Sequence, residues 1–334
     1  MASRPWRVLQ VGLGPIGQRA VRAALRRRGI RVVGAVDPAP DLAGRDLGEV
    51  LGLRASIGVK VEPDLERALR SCRPLLALHT TVSALAPAAA QIAPLLAAGI
   101  DVVSTTEELA YPWIARPALA RRIDRLARRG GATVHATGVN PGFAMDLLPL
   151  VLTHAATRVD AIRVRRIVDV ATRREALRRK VGAGRTPSEF RALARQSRVG
   201  HVGLVDSMQM LAAGVGWTIE RLVHRLEPVR AIRHFAGPPE VRRGDVAGQR
   251  ELLRGFVGGR ERLRFELVIA MGAVEPVDEV ILRGDPPLTL RIPGGVAGDQ
   301  ATVAALLNAI PRVLAAEPGL RTALDLPLPR FGDG

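Results

Sequence analysis

The stretch that most limits how this chain can fold is Val8-Leu9-Gln10-Val11-Gly12-Leu13-Gly14-Pro15-Ile16-Gly17. A short apolar run, with the make-up of a buried strand, ends in Gly-x-Gly-x-x-Gly. Residues 18–28 follow as a helix, with Val21, Ala24 and Leu25 on one side. Strand, glycine turn and helix in that order give the glycine pattern its meaning. Gly12 allows the tight turn, Gly14 leaves room for a pyrophosphate against backbone, and Gly17 lets helix and strand pack closely. The helix N-terminus adds free N–H groups and the positive end of a dipole. Pro15 sits where its missing N–H costs little, and Ile16 stands beside it. The pattern predicts dinucleotide binding through Gly12, Gly14, Pro15, Ile16 and Gly17. A tight turn without a ligand is the structural alternative.

A second strand, Arg31-Val32-Val33-Gly34-Ala35-Val36, ends at Asp37, twenty residues beyond Gly17. An acid there accepts from the adenine ribose hydroxyls and repels a 2′-phosphate. That favours NAD. Arg45 is close in sequence and could answer a phosphate, so NADP stays open.

Strands and helices alternate onward to residue 145. Residues 64–71, 84–98 and 113–129 read as helices; residues 74–81, 101–106 and 132–137 read as strands. This rhythm predicts an α/β fold, a Rossmann-type doubly wound parallel sheet, over residues 1–145. The pattern then changes. Residues 161–170, 226–235, 262–271, 278–283 and 288–293 read as strands with few helices between them. They predict a second, α+β domain over 146–297 with a mostly antiparallel sheet. Residues 298–334 open with an apolar helix, 298–314, expected to return to the first domain. The second sheet is expected to leave an apolar face on which two copies pair, as a C2 homodimer.

At 334 residues the chain can bury two cores. The formal net charge of +17 raises the question of nucleic acid. The basic residues are almost all Arg, scattered along helices without interleaved aromatics, so no nucleic-acid partner is expected. Cys72 is the only cysteine, which leaves no disulfide framework. The His residues are scattered, and no Cys pair or His-Glu-x-x-His exists; no metal site is expected. No apolar run approaches the ~20 residues that cross a bilayer. No signal peptide is read ahead of the first strand, and a cytoplasmic protein without a membrane partner is the expectation.

Chemistry is expected beyond the carboxyl ends of the parallel strands. His79, Thr80 and Thr81 fall there, toward the nicotinamide end of a bound cofactor, although a satisfied loop histidine would also explain His79. Glu107 and Glu108 stand just past the next strand tip among apolar neighbours. Partial burial there would raise a carboxyl pKa toward working pH, as general acid–base work needs. The structural alternative is an acid at a helix N-terminus, which would account for one of the two. Asn140-Pro141-Gly142-Phe143 is a further candidate: Asn140 for ribose or substrate, Phe143 as an apolar wall, or a plain turn. His201, in a loop between helices, could reach a pocket or be structural.

Taken together, these segments resemble the 2,4-diaminopentanoate dehydrogenase family, which includes the native NAD(P)-dependent amine dehydrogenases and shares its fold with dihydrodipicolinate reductase. The resemblance rests on Val11-Gly12-Leu13-Gly14-Pro15-Ile16-Gly17, His79-Thr80-Thr81, Ser104-Thr105-Thr106-Glu107-Glu108-Leu109-Ala110-Tyr111-Pro112, Gly138-Val139-Asn140-Pro141-Gly142-Phe143, Val199-Gly200-His201-Val202-Gly203 and Gly298-Asp299-Gln300-Ala301-Thr302. It spans nearly the whole chain. It implies reversible oxidative deamination of a small amine to a ketone or aldehyde plus ammonia, with NAD or NADP. It also implies a catalytic carboxylate near the nicotinamide, placed on Glu107 with Glu108 as the fallback. Val139 and Phe143 would wall the substrate side, with His201 and Thr302 as weaker carry-overs. The alternatives are 2,4-diaminopentanoate dehydrogenase proper, a dihydrodipicolinate reductase-like oxidoreductase, or a dinucleotide-binding protein without turnover. The paired His, Lys and Pro-Ser-Gly-Thr signature of dihydrodipicolinate reductase is missing. Homoserine dehydrogenase would carry a Lys where Glu107 stands.

Overall fold

The computed structural model describes residues 4–331. The chain falls into two compact units. One comprises residues up to Phe143 together with those from Ala297 onward; the other is Ala144–Val296.

The first unit runs β1 (Trp6–Val11), α1 (Pro15–Ala24), β2 (Ile30–Val36), α2 (Leu47–Val50), β3 (Val61–Glu62), α3 (Leu65–Ser71), β4 (Leu76–His79), α4 (Leu85–Ala97), β5 (Asp101–Ser104), α5 (Pro117–Gly130) and β6 (Thr133–Ala136). The second unit contains α6 (Leu147–Leu152), β7 (Arg158–Asp169), α7 (Glu175–Lys180), α8 (Pro187–Arg195), α9 (Leu204–Gly214), β8 (Arg221–Arg230), β9 (Val246–Val257), β10 (Arg260–Ala270), β11 (Val277–Asp285) and β12 (Leu288–Pro293). The chain then supplies α10 (Gly298–Leu314) and β13 (Gly319–Arg321) to the first unit.

The first unit's sheet is parallel throughout, in the order β13-β6-β5-β4-β1-β2-β3. The order reverses beside β1, which opens a crevice beyond the tips of β1 and β4. Apolar clusters lie on both sides of the sheet. Val8, Val32 and Leu78 pack with α1 and with Leu306, Leu307 and Ile310 of α10. Leu9, Ala77 and Val102 pack with Leu85, Ile92 and Leu96 of α4 and Ile123 of α5. Two helix starts differ from expectation, each for a local reason. Helix α1 starts at Pro15 rather than Gln18, because Pro at the first helical position needs no N–H acceptor. Residues 113–116 stay outside α5, which Pro117 opens in the same way. The short β13 is an addition at the sheet edge.

The second unit's six strands lie in the order β12-β11-β7-β10-β9-β8, antiparallel except for the central β7–β10 pair. Strand β8 starts at Arg221 instead of Leu226, and β9 lies between it and β10, where the segment rich in Gly and Arg gave no strand in the expected set. Ile162, Val164, Leu263, Phe265 and Leu267 join Leu204, Met208 and Leu211 of α9 in one core. The strand period of two sends the intervening residues to the opposite face.

That opposite face is not apolar. It carries a lattice of charges: Glu261 holds Arg254 and Arg264, each at 2.5 Å, and Glu266 holds Arg250 at 2.7 Å and Arg165 at 3.5 Å. Glu279 holds Arg291 at 3.1 Å. The outer face is therefore mixed: Ile167, Leu252, Val268 and Ile281 stand in register among these charges, where the expectation had a plainly apolar face. Many of the alternate positions on these strands are Arg and Glu, and cross-strand pairing of opposite charges satisfies them in water.

Candidate active site

The glycine turn is closed by contacts that only glycines permit. Gly12 has φ +87°, and a Cβ there would lie 2.9 Å from the Thr80 carbonyl oxygen. A Cβ on Gly17 would lie 2.0 Å from the Gly12 carbonyl oxygen, so helix α1 meets the turn at backbone distance. Gly14 is different: a Cβ there would meet nothing within 4 Å. It is the N-cap of α1, exposed and extended, with Pro15 in the first turn and Ile16 half-buried. The first N–H groups of a helix have no partner within it. A donor-lined opening at an unobstructed glycine is what an anionic pyrophosphate needs.

Gln10, which sequence reasoning passed over, braces this turn. Its side-chain amide donates to the Gly12 carbonyl and to the Thr80 hydroxyl, both at 2.8 Å, and that hydroxyl donates to the Gly12 carbonyl at 3.0 Å. Its signal was a polar residue inside an otherwise apolar strand, since a buried amide needs partners. Thr80 thus acts on the turn from within, and its side chain is buried.

Asp37 sits just past β2, half-buried, and accepts from the Leu13 N–H at 2.7 Å and the Ala39 N–H at 3.0 Å. An ionised carboxylate offers about four lone-pair sites, so capacity remains for hydroxyl donors. Arg45 points elsewhere: it donates to Glu49 at 2.8 Å and to the Asp41 carbonyl at 3.0 Å.

Beyond β4 and β5, His79 is fully buried. Its Nδ1 lies 2.9 Å from Ser104 Oγ, while Nε2 faces Gln91 Oε1 at 2.8 Å and Thr81 Oγ1 at 2.9 Å. Burial pushes the ring's pKa down to about 4, so it is neutral near pH 7. Both ring nitrogens are engaged inside the protein, and the satisfied-histidine reading is the one this geometry favours. Thr81 is exposed, and its hydroxyl also lies 2.5 Å from Gln91 Oε1.

The two candidate carboxylates separate cleanly. Both lie in the single 3-10 turn Glu107–Leu109 that follows Thr106. Glu108 accepts the Leu85 N–H at 2.7 Å, at the start of α4, and also binds the Arg116 guanidinium. Glu107 is half-buried, and its side chain makes no hydrogen bond or ion pair among the described residues.

The 138–143 loop brings other predicted residues together. Val139 N–H donates to the Thr302 hydroxyl of α10 at 3.3 Å. Gly142 has φ +118°, and a Cβ there would strike the Gly138 nitrogen at 2.6 Å. Asn140 is buried, while Val139 and Phe143 are half-buried. His201 belongs to the second unit. There its N–H donates at 2.5 Å to Glu251, a fully buried carboxylate that also binds Gln249 and His224, each at 2.9 Å. Among the described residues no cluster of His, Cys, Asp or Glu could hold a metal ion, and no helix is long and apolar enough to cross a membrane.

Residues 143–332 match the family model described as the 2,4-diaminopentanoate dehydrogenase C-terminal domain. Over 97% of its length the chain is 30% identical to a 2,4-diaminopentanoate dehydrogenase of Acetoanaerobium sticklandii, covering 94% of that protein. The chain belongs to the 2,4-diaminopentanoate dehydrogenase family. Among solved structures it is similar to an amine dehydrogenase from Mycobacterium smegmatis, with a TM-score of 0.89, 28% identity and 98% of each chain covered. A dihydrodipicolinate reductase from Paenisporosarcina shares the fold, at a TM-score of 0.52 and 16% identity over 94% of this chain and 96% of that one.

Proposed function

We propose that the protein is an NAD(P)-dependent amine dehydrogenase, an oxidoreductase acting on CH–NH2 donors, with NAD preferred. A protonated amine, an oxidised dinucleotide and water give a ketone or aldehyde, ammonium, a reduced dinucleotide and a proton. The reverse direction is reductive amination. The observation that carries this reading is the contrast at the β5 tip: Glu108 is fully engaged, and Glu107 is free and half-buried.

The open Gly14, the α1 N-terminus and Asp37 suit a dinucleotide. Gly12, Gly14, Pro15, Ile16 and Gly17 would hold its pyrophosphate and Asp37 its ribose hydroxyls. When bound, the nicotinamide accepts or returns a hydride. The proton work falls to Glu107. In deamination it takes a proton from the water attacking the substrate iminium and returns one to the departing nitrogen. In the other direction it receives the proton that ammonia sheds on adding to the carbonyl. Val139, Phe143 and Thr302 are proposed around the substrate side, with Asn140 on the ribose or the substrate.

The NAD preference rests on Asp37, with Arg45 held by Glu49 and the Asp41 carbonyl. The A. sticklandii relative favours a second reading, 2,4-diaminopentanoate itself as substrate. One experiment covers both. NADH oxidation is followed with a panel of ketones and aldehydes in concentrated ammonium at alkaline pH, and NAD+ reduction with 2,4-diaminopentanoate. Ammonium-dependent turnover supports the proposal. Cofactor binding with no turnover in either arm refutes it.

A further inference from the structure

The buried polar groups behind the strand tips form a directional chain that ends on the residue before Glu107. Thr106 Oγ1 lies 2.8 Å from the Val82 carbonyl, which can only accept, so the Thr106 hydroxyl donates there. Ser104 Oγ lies 3.0 Å from Thr106 Oγ1 and must therefore give its own proton to it. Ser104 Oγ also accepts the Thr106 backbone N–H at 3.0 Å. Its one proton is committed, so the contact with His79 Nδ1 at 2.9 Å requires a proton on that nitrogen. Thr106 is the N-cap of the turn that carries Glu107, and the Ala110 N–H closes the turn on the Glu107 carbonyl at 3.2 Å.

We infer that His79 is a positioning residue: as the neutral Nδ1–H tautomer it orients Ser104 and Thr106, and through them the turn that presents Glu107. This inference rests on Glu107 being the catalytic carboxylate. A neutral ring then accepts at Nε2, where Gln91 and Thr81 face it. An amide's oxygen and nitrogen exchange by a half-turn of its last torsion. That half-turn lets the Gln91 amide donate to His79 Nε2, as the neutral ring requires. With the Gln91 oxygen kept against Nε2, the ring would have to be an imidazolium. Full burial opposes that charge.

Two measurements test the inference. Nitrogen-15 NMR of the histidine-labelled, unmodified protein reads the tautomer; the expected result is a proton on Nδ1 and none on Nε2 from pH 6 to 9. A proton on Nε2 overturns the inference. The second measurement is kinetic, with pentan-2-one, ammonium chloride and NADH as the probe. Ser104→Ala is expected to lower kcat about tenfold, with NADH Kd changed less than twofold. His79→Asn, whose amide N–H stands where Nδ1–H stands, is expected to lose less kcat than His79→Gln. A merely structural role would lower Tm and the active fraction without separating these two amides or splitting kcat from KM. Glu107→Gln is measured alongside. If it abolishes turnover while Ser104→Ala keeps kcat within twofold, the positioning role alone falls. If Glu107→Gln retains turnover, the role falls together with the carboxylate it was meant to serve.

Discussion

Glu108 and Arg116 form an ion pair that also caps a helix, since the other oxygen of Glu108 accepts the Leu85 N–H at 2.7 Å. The pair joins the starts of α4 and α5 to the tip of β5. Its neighbour Glu107, one residue away in the same 3-10 turn, takes no part. Adjacent residues in such a turn point in different directions, so one backbone segment holds a structural carboxylate and an unengaged one side by side.

The two acids should therefore fail differently. Glu107→Gln keeps the size but cannot cycle a proton. General acid–base assistance is worth about 10²–10⁴-fold, so kcat should fall in that range with NADH affinity intact. Glu108→Ala removes a cap, leaves the Leu85 N–H without its acceptor and takes one ion-pair partner from Arg116. It should cost about 1–3 kcal/mol of stability, seen as a lower denaturant midpoint, with kcat within tenfold. If the kinetic outcomes are exchanged, the carboxylate chemistry belongs to Glu108. If neither variant loses more than tenfold, both acids are structural.

Cofactor choice should respond to two separate residues. Asp37→Ala removes the ribose acceptor, and the NADH/NADPH preference should narrow or invert. Glu49→Ala releases Arg45 from its exposed partner, a pair worth less than about 1 kcal/mol. NADPH Kd should then tighten by a fewfold while NADH Kd stays put. Tighter binding of NADPH than NADH by the unmodified protein, measured by titration calorimetry, would remove the role given to Asp37.

Gly17 and Gly14 separate a ligand site from a bare turn. Gly17→Ala places a methyl 2.0 Å from the Gly12 carbonyl oxygen and should displace α1, lowering stability and cofactor affinity together. Gly14→Ala meets nothing within 4 Å, so stability should change by less than about 0.5 kcal/mol. Yet its methyl enters the space assigned to the pyrophosphate, and NADH Kd should rise at least tenfold. An unchanged Kd for Gly14→Ala would mean the turn binds nothing.

What was legible in the chain follows from how local the signal is. Helix α10 spans Gly298–Leu314 as its apolar periodicity predicts, and the first sheet's strands fall where apolar runs meet glycines and polar tips. The three-residue β13 is too short for any period to register. Strand β8, at the sheet edge, is half exposed along its length, and its apolar residues are interrupted by charged ones at its start. The charged outer face was readable: Arg163 and Arg165 alternate with Ile162 and Val164, as Arg264 and Glu266 do with Leu263 and Phe265. The expectation of an apolar face set that period aside. The split between Glu107 and Glu108 was not readable. It depends on an N–H 23 residues earlier and a guanidinium eight residues later, brought together only by the fold.

The last prediction concerns acid. His135 in β6 is fully buried; its Nδ1 lies 2.9 Å from the Arg321 carbonyl, so it donates there, tying β6 to β13. Burial holds its pKa down to about 4, as it does for His79, against an ordinary value of 6.5. Both pKa values are lower in the folded state, so between pH 6.5 and 4 the unfolded chain binds up to two more protons. Stability is then full above about pH 6.5 and lost as pH falls toward 4, at about 1.4 kcal/mol per unit for each ring. Over that window each ring contributes about 3 kcal/mol. His135→Asn keeps an N–H for the Arg321 carbonyl but takes up no proton in this range. Its unfolding free energy, from urea titrations between pH 7 and 4.5, should fall less steeply with acid by about one proton's slope. Parallel slopes for the two proteins would mean that His135 is protonated in the folded state, and that its burial does not set the acid limit.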